Sequence, residues 1–106
     1  MSNMKEREET FERMFVRDEE LRFKATARRN KLLGLWAAEK LGKTGDAAES
    51  YAKEIIKADF EEAGDEDVFR KVRRDFDAAG VSETDEAVRG KMIDLLAEAI
   101  NQVKSE

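Results

Sequence analysis

The stretch LGLWAAEKLGKTGDAAES, residues 33–50, decides between two readings of this chain. Its Gly42, Lys43 and Thr44 match the end of the phosphate-binding loop found in many nucleotide triphosphatases. That loop requires a strand, then the pattern G-x-x-x-x-G-K-[ST], then a helix. Position 37, where the first glycine would stand, is alanine, and the residues before Gly42 follow a helical pattern. We therefore interpret residues 42–45 as a turn between two helices.

Outward from this turn, apolar residues recur at the three- and four-residue spacing of amphipathic helices. The predicted helices span residues 5–21, 22–41, 46–63 and 66–79, with a last helix after Ser82. Their predicted apolar stripes are Phe11, Met14, Phe15 and Leu21; Ala25, Leu32, Leu35 and Trp36, with Leu33 at the edge; Ala48, Tyr51, Ala52, Ile55 and Phe60; Val68, Phe69, Val72 and Phe76; and Val88, Met92, Leu95, Leu96, Ala99 and Val103. No segment shows the strict alternation of a strand.

Glycines and polar residues mark the predicted helix ends. Gly42, Gly64 and Gly80 are expected to stop helices, because glycine adopts the left-handed conformation of a helix C-terminus at little cost. Thr44 or Asp46 is expected to cap the helix that follows Gly42, and Ser82 with Asp85 forms a predicted capping box. Gly34 lies inside a predicted helix and is expected to allow a close helix–helix approach.

These elements predict an all-α fold, a bundle of four to five helices with short turns. We divide the 106 residues into an N-terminal helical segment, residues 1–20, and a bundle domain, residues 21–106. The N-terminal segment is expected either to pack on the bundle or to project from it as a mobile element. The free chain is expected to be a monomer.

Composition excludes several kinds of chemistry. The chain has no cysteine and no histidine, which removes disulfides, thiol nucleophiles, imidazole bases and zinc sites. The acidic stretch DFEEAGDED, residues 59–67, lacks the spacing of a calcium loop, so no metal site is expected. No apolar run is long enough for a membrane span, and no signal peptide is evident. We expect a cytoplasmic protein that is not an enzyme.

Charge is distributed unevenly along the chain. Residues 22–43 contain seven positively charged side chains and one negatively charged side chain, although the whole chain has a net charge of −5. Lys24, Arg28 and Lys31 share a predicted helix face, and Arg29 lies beside them. Two interpretations remain open: a solvated helix rim, or an anion site in which Trp36 or Tyr51 stacks on a base. Specific nucleic-acid binding is not expected of an acidic chain without a recognition motif.

The N-terminal helix is the second candidate for a function. Phe11, Met14 and Phe15 are large apolar side chains on an otherwise charged helix. Anchors with this spacing are typical of helices that bind in a groove of a partner protein. The alternative is that they cover one end of the bundle.

Two stretches resemble a known family. FKATARRNKLLGLWAAEKLGKTG, residues 23–45, and YAKEIIKADFEEAGDEDVFRKV, residues 51–72, are similar to the zeta subunit of the alpha-proteobacterial F-type ATP synthase, an ATPase inhibitor. The resemblance runs over nearly the whole chain. It implies a helical bundle, in agreement with the periodicity.

The resemblance also implies a function. Zeta subunits bind the catalytic head of the ATP synthase and block ATP hydrolysis, with the N-terminal segment entering the interface of the alpha and beta subunits beside gamma. The family pattern R-E-x-x-F-E-x-x-F matches here Arg7, Glu8, Phe11, Glu12 and Phe15. With Met14, these residues are the implied inhibitory contacts. The implied location is the cytoplasm, peripheral to the inner membrane through the synthase, without membrane insertion.

The resemblance further implies binding of ADP or ATP, although no cofactor is required. The candidate nucleotide-binding residues are Lys24, Arg28, Arg29, Lys31 and Trp36. The alternative function is a helical adaptor or an adenine-nucleotide sensor that does not inhibit strongly.

Overall fold

A computed structural model describes residues 19–61 and 66–105. This part of the chain forms four α-helices and contains no strand. The helices are α1, Glu19–Lys40; α2, Gly45–Asp59; α3, Glu66–Ala79; and α4, Asp85–Lys104. The all-α bundle with short turns is therefore confirmed. The predicted N-terminal helix, apart from its last residues, and the predicted stop at Gly64 lie outside the described residues.

Helix α1 is the central element of the bundle. It packs along both α2 and α4, and α3 closes the bundle by packing on the same two helices. Each helix contributes its apolar stripe to one core, which contains Leu33 of α1, Ile55 of α2, Val72 and Phe76 of α3, and Met92 of α4. A smaller cluster of Ala25, Ile100 and Val103 joins the first turns of α1 to the last turns of α4.

Two turns follow the same glycine-based geometry. Gly42 ends α1 with φ 77°, and the Lys43 amide donates to the Ala38 carbonyl at 2.8 Å. Gly80 ends α3 with φ 72°, and the Val81 amide donates to the Phe76 carbonyl at 2.9 Å. These are the bonds of a helix C-terminal motif that needs a left-handed residue. Both predicted stops are confirmed, and residues 42–44 are the turn from α1 to α2.

Gly34 lies where α1 and α2 approach most closely. A Cβ atom at this position would lie 2.5 Å from the Ala52 Cα atom of α2. Only a residue without a side chain fits at this distance. The predicted close approach is thus confirmed, and its partner is α2.

The caps differ from the prediction. Thr84, not Ser82, is the N-cap of α4, and its hydroxyl accepts from the Ala87 amide at 3.0 Å. The helix starts at Asp85, so Ser82 is too far upstream to reach the free amides. Thr44 occupies the N-cap position of α2, but its side chain makes no capping hydrogen bond.

The buried stripe of α1 is rotated from its predicted position. Leu33 is fully buried, whereas Leu32, Leu35 and Trp36 are half-buried. Because α1 has neighbours on two sides, its most buried line runs through Ala25, Arg29, Leu33 and Ala37. The helix also starts earlier than predicted and runs without a break from Glu19.

Helix α2 is shorter than predicted, with a consequence for Phe60. The helix ends at Asp59 rather than near residue 63, and Phe60 follows in a turn. Phe60 is 69% exposed, so its assignment to the buried stripe was wrong. Of the remaining stripe residues, Tyr51, Ala52 and Ile55 are buried as predicted, and Ala48 is half-buried.

Candidate functional site

The six predicted inhibitory residues, Arg7, Glu8, Phe11, Glu12, Met14 and Phe15, lie outside the described residues. The structure does describe the helix to which their segment is joined. That helix is α1, which begins at Glu19, so the first turns of α1 form the base of the N-terminal segment. The candidate site consists of these turns of α1 and the residues that contact them.

A buried polar network ties α1 to the end of α2. Arg29 is 2% exposed and Asn30 is 1% exposed. The Arg29 Nε donates to Asn30 Oδ1 at 2.7 Å, and Asn30 Nδ2 donates to Asp59 Oδ2 at 2.9 Å. The Arg29 guanidinium also lies 4.0 Å from Asp59 Oδ1. Buried charges and amides need such partners, so the network fixes where α1 meets α2.

A second contact ties the same part of α1 to α4. Arg28 Nη1 donates to Gln102 Oε1 at 3.0 Å, and the apolar cluster around Ala25 lies beside this bond. The base of the N-terminal segment is therefore held on both sides.

An open groove runs along the base, between α1 and the end of α2. Its volume is about 370 Å³. The lining residues are Arg22, Phe23, Thr26, Ala27, Asn30, Ile56, Asp59 and Phe60. The rings of Phe23 and Phe60 lie 6.2 Å apart at an interplanar angle of 41°. This tilted pair forms an apolar wall next to a cation and a polar network.

The predicted basic face is only partly assembled. Lys24 and Lys31 are exposed and Arg28 is half-buried, and Lys24 lies 3.5 Å from Glu20. Arg29, by contrast, points into the bundle and takes part in the buried network. The structure thus separates Arg29 from the other three cations, because α1 must bury that side against α2 and α4.

The two rings proposed for base stacking also lie elsewhere. Trp36 packs edge-on against Phe76 of α3 at 5.7 Å, with Lys91 5.9 Å from its ring, and it lies about 12 Å along the helix from Arg28. Tyr51 is 3% exposed, and its hydroxyl donates to Asp75 at 2.8 Å. Burial and the Asp75 carboxylate raise the pKa of Tyr51 above its ordinary value, so this hydroxyl stays a donor.

The described residues offer neither a metal-binding cluster nor a membrane-spanning helix. Within residues 19–61 and 66–105, no three acidic side chains are placed to hold a metal ion. None of the helices in the same part of the chain has the length and apolar character needed to cross a bilayer.

Comparison with known proteins identifies the family. The sequence model of the family described as ATPase inhibitor subunit zeta matches residues 1–102. This chain belongs to that family. The match includes the N-terminal segment and all of the bundle except the last residues of α4, so the resemblance noted in the sequence is confirmed. The family name describes an inhibitory subunit of an ATPase, which implies an ATP synthase as the partner of a zeta-family member.

A solved structure is similar to this chain. A protein whose structure was determined by solution NMR is 54% identical in sequence, with a TM-score of 0.72. The similarity covers 80% of this zeta-family chain and 96% of that chain. No curated protein matches the chain.

Sequence reasoning missed the groove. The sequence contains one weak signal of the groove. Phe23 is an apolar residue between Arg22 and Lys24, and it lies on a different face of the helix from the buried line of Ala25, Arg29 and Leu33. Phe60 gave no such signal, because its burial depended on whether α2 continued for one more turn.

Proposed function

We propose that this chain inhibits ATP hydrolysis by the F-type ATP synthase, with residues 1–18 entering the catalytic interface of the alpha and beta subunits next to gamma. The observation that carries this proposal is the family match from residue 1 to residue 102, which includes the segment with the R-E-x-x-F-E-x-x-F pattern. The bundle then stays outside the interface, on the cytoplasmic side, peripheral to the membrane through the synthase.

The described residues support the proposal by supplying a firm base. Helix α1 begins at Glu19, and about three turns further along it is held by Asn30–Asp59 on one side and by Arg28–Gln102 on the other. A segment inserted into a rotary enzyme is under load, and a firm attachment to the bundle would help to carry that load. A bundle anchored to the segment at this point provides such an attachment.

The inhibitory step requires no chemistry from this chain. A catalytic interface has to open and close in each cycle, and an inserted helix blocks that closure. Large apolar anchors such as Phe11, Met14 and Phe15 supply most of the binding free energy of a helix in a groove. Arg7, Glu8 and Glu12 set the register and the rate of encounter.

The test is ATP hydrolysis by the purified cognate catalytic head, titrated with the full chain. The variant Phe11→Ala with Phe15→Ala is expected to raise the concentration for half-inhibition by at least about 100-fold, since each lost hot-spot anchor costs about 2 kcal/mol or more. A chain that lacks residues 1–18 is expected not to inhibit at all.

The folding of both variants is the control. All four described helices share one core, so thermal unfolding of both variants is expected to remain cooperative. Inhibition by the aromatic double variant at wild-type concentrations would exclude these residues as the anchors. Inhibition by the shortened chain would exclude the whole segment.

A second candidate function is adenine-nucleotide sensing on the outer face of α1. The observation that favours it is that the exposed Lys24 and Lys31 share a face of α1 with the half-buried Arg28, and such cations bind phosphate oxygens. The buried Arg29 and the packed Trp36 are less suited to this role. Backbone amide shifts during an ADP titration test it: shifts around residues 24–31 support the site, and their absence removes it.

A further inference from the structure

Phe23 and Phe60 form an unusual feature of the bundle surface. They are 61% and 69% exposed, and only one other large apolar side chain in the described residues, Ile93, is as exposed. Scattered single apolar residues on a surface need no explanation. Phe23 on α1 and Phe60 directly after α2, with rings 6.2 Å apart, form a local apolar patch, and such patches mark binding surfaces.

The surroundings of the pair have the composition of a protein-binding hot spot. The groove beside the two rings is lined by Arg22, by the half-buried Ile56 and by the polar Asn30 and Asp59. Aromatic residues and arginine dominate the binding energy of protein interfaces. Arg22 is exposed at the edge of the groove. An aromatic pair with an exposed arginine at its rim suits a partner with an apolar centre and a nearby carboxylate.

The pair is also preorganised for binding. Phe23 is carried by α1 and Phe60 directly follows the last residue of α2. The Asn30–Asp59 hydrogen bond of 2.9 Å joins these two helices beside the rings. Because the two backbones are already held together, a partner would order only the ring rotamers, which keeps the entropy cost of binding low.

Position along the chain identifies the partner. Residue 18 is the last residue before the described part of α1, and Phe23 lies one helical turn after Glu19, about 6 Å along the axis. A partner that contacts residue 18 therefore lies within reach of Phe23. Under the proposed function, that partner is the catalytic head, and the groove faces the rim of the cleft that the segment enters.

We infer that the Phe23–Phe60 pair, with Arg22 at its edge, is a second contact with the ATPase. It docks on an apolar patch, edged by a carboxylate, on the outer surface of the head beside the entry of the N-terminal segment. This contact rests on the proposed function for the identity of its partner. It holds the bundle against the head while the segment occupies the cleft.

The experiment compares full-length chains for binding to the purified catalytic head and for inhibition of its ATP hydrolysis. The variant Phe23→Ala with Phe60→Ala is expected to weaken binding and to raise the half-inhibition concentration by about 10- to 100-fold, with the same maximal inhibition. Arg22→Glu is expected to slow association, because it places like charges face to face. Ile93→Ala is the matched control: it removes an equally exposed apolar side chain from α4 and is expected to change binding by no more than about twofold.

The outcomes separate this inference from the proposed function. If the wild-type chain binds the head without inhibiting it, the inhibitory function fails, and weaker binding of the aromatic variant still supports the docking surface. Wild-type binding by the aromatic variant would overturn the docking surface while leaving the inhibitory function intact. No binding by the wild-type chain would overturn both.

Two other occupants of the groove would each give a different experimental result. Stronger inhibition by the aromatic variant would show that the pair holds residues 1–18 of its own chain, and it would overturn the inference. Sedimentation of the wild-type chain as a dimer, with the variant as a monomer, would assign the groove to a second copy and would also overturn it.

Discussion

At the scale of single residues, Gly34 shows how one position governs the spacing of two helices. A methyl group there would meet the Ala52 Cα atom at 2.5 Å, and backbone atoms cannot move aside as a flexible side chain can. The glycine is kept although it costs about 1 kcal/mol of helix propensity against alanine. Close packing of α1 on α2 must therefore contribute more than that.

Gly34→Ala is expected to lower the free energy of unfolding by roughly 1–2 kcal/mol. Overpacking costs about 1–3 kcal/mol, and the better helix propensity of alanine offsets up to about 1 kcal/mol. Chemical denaturation followed by circular dichroism measures the change.

Gly90 is the matched control for this substitution. It lies inside α4, and a Cβ atom there would meet nothing within 4 Å. Gly90→Ala is expected to raise the free energy of unfolding by about 0.5–1 kcal/mol. If both variants were stabilised alike, the close approach at Gly34 would not be a feature of the protein in solution.

At the scale of the helices, α1 owes its orientation to a polar network as well as to its apolar stripe. Arg29 stands in line with Ala25, Leu33 and Ala37, where an apolar residue would be expected. Its charge is accepted in the core because Asn30 and Asp59 supply oxygens at the α1–α2 contact. The network specifies which turn of α1 faces the end of α2.

Arg29→Ala is expected to lower the free energy of unfolding by roughly 2–4 kcal/mol. The substitution leaves the Asn30 amide and the Asp59 carboxylate with an unmet bonding partner, and unsatisfied buried polar groups are costly. Urea titration of the variant measures the loss.

Lys31→Ala, two positions further along the same helix, is the comparison for Arg29→Ala. Lys31 is exposed, so its removal is expected to change stability by no more than about 0.5 kcal/mol. Equal effects of the two substitutions would contradict a structural role for Arg29. A large loss for Arg29 alone would explain why this cation does not belong with the outward-facing basic residues.

At the scale of the whole molecule, the bundle and the N-terminal segment have separate tasks under the proposed function. The four helices form one core. Near the point where residues 1–18 join α1, the bundle carries the Phe23–Phe60 pair on its surface. The segment enters the partner, and the bundle provides the bulk and the second contact. Inhibition by such an arrangement depends on shape and position rather than on reactive groups.

Much of the architecture was predictable because its signals are local. The stripes of α3 and α4, the left-handed glycines at 42 and 80 and the turn between α1 and α2 are consequences of short-range backbone preferences. The wrong predictions concerned the exact end of a helix or the rotation of a helix about its own axis. Thr84 replaced Ser82 as a cap, and Phe60 fell outside α2, because helix ends differ by a few residues at little local cost.

The candidate site was less predictable, for a different physical reason. Counting charges and rings along α1 places Arg29 beside Lys31, but it does not tell which side of the helix has neighbours. With α2 and α4 on two sides, Arg29 is buried, Trp36 packs on Phe76, and Lys24 stays at the surface. The inhibitory residues carried over from the family resemblance remain a prediction, since they lie outside the described residues.

The amino-acid sequence alone therefore determined the helical class, the stops at Gly42 and Gly80 and the family, because these depend on local spacing and on similarity along the chain. Only the tertiary structure decided the pairing of Phe23 with Phe60, the burial of Arg29 and the close approach at Gly34. These depend on residues far apart in the chain, such as Phe23 and Phe60, meeting across a helix–helix contact. The geometry of that contact is set by the packing of all four helices together.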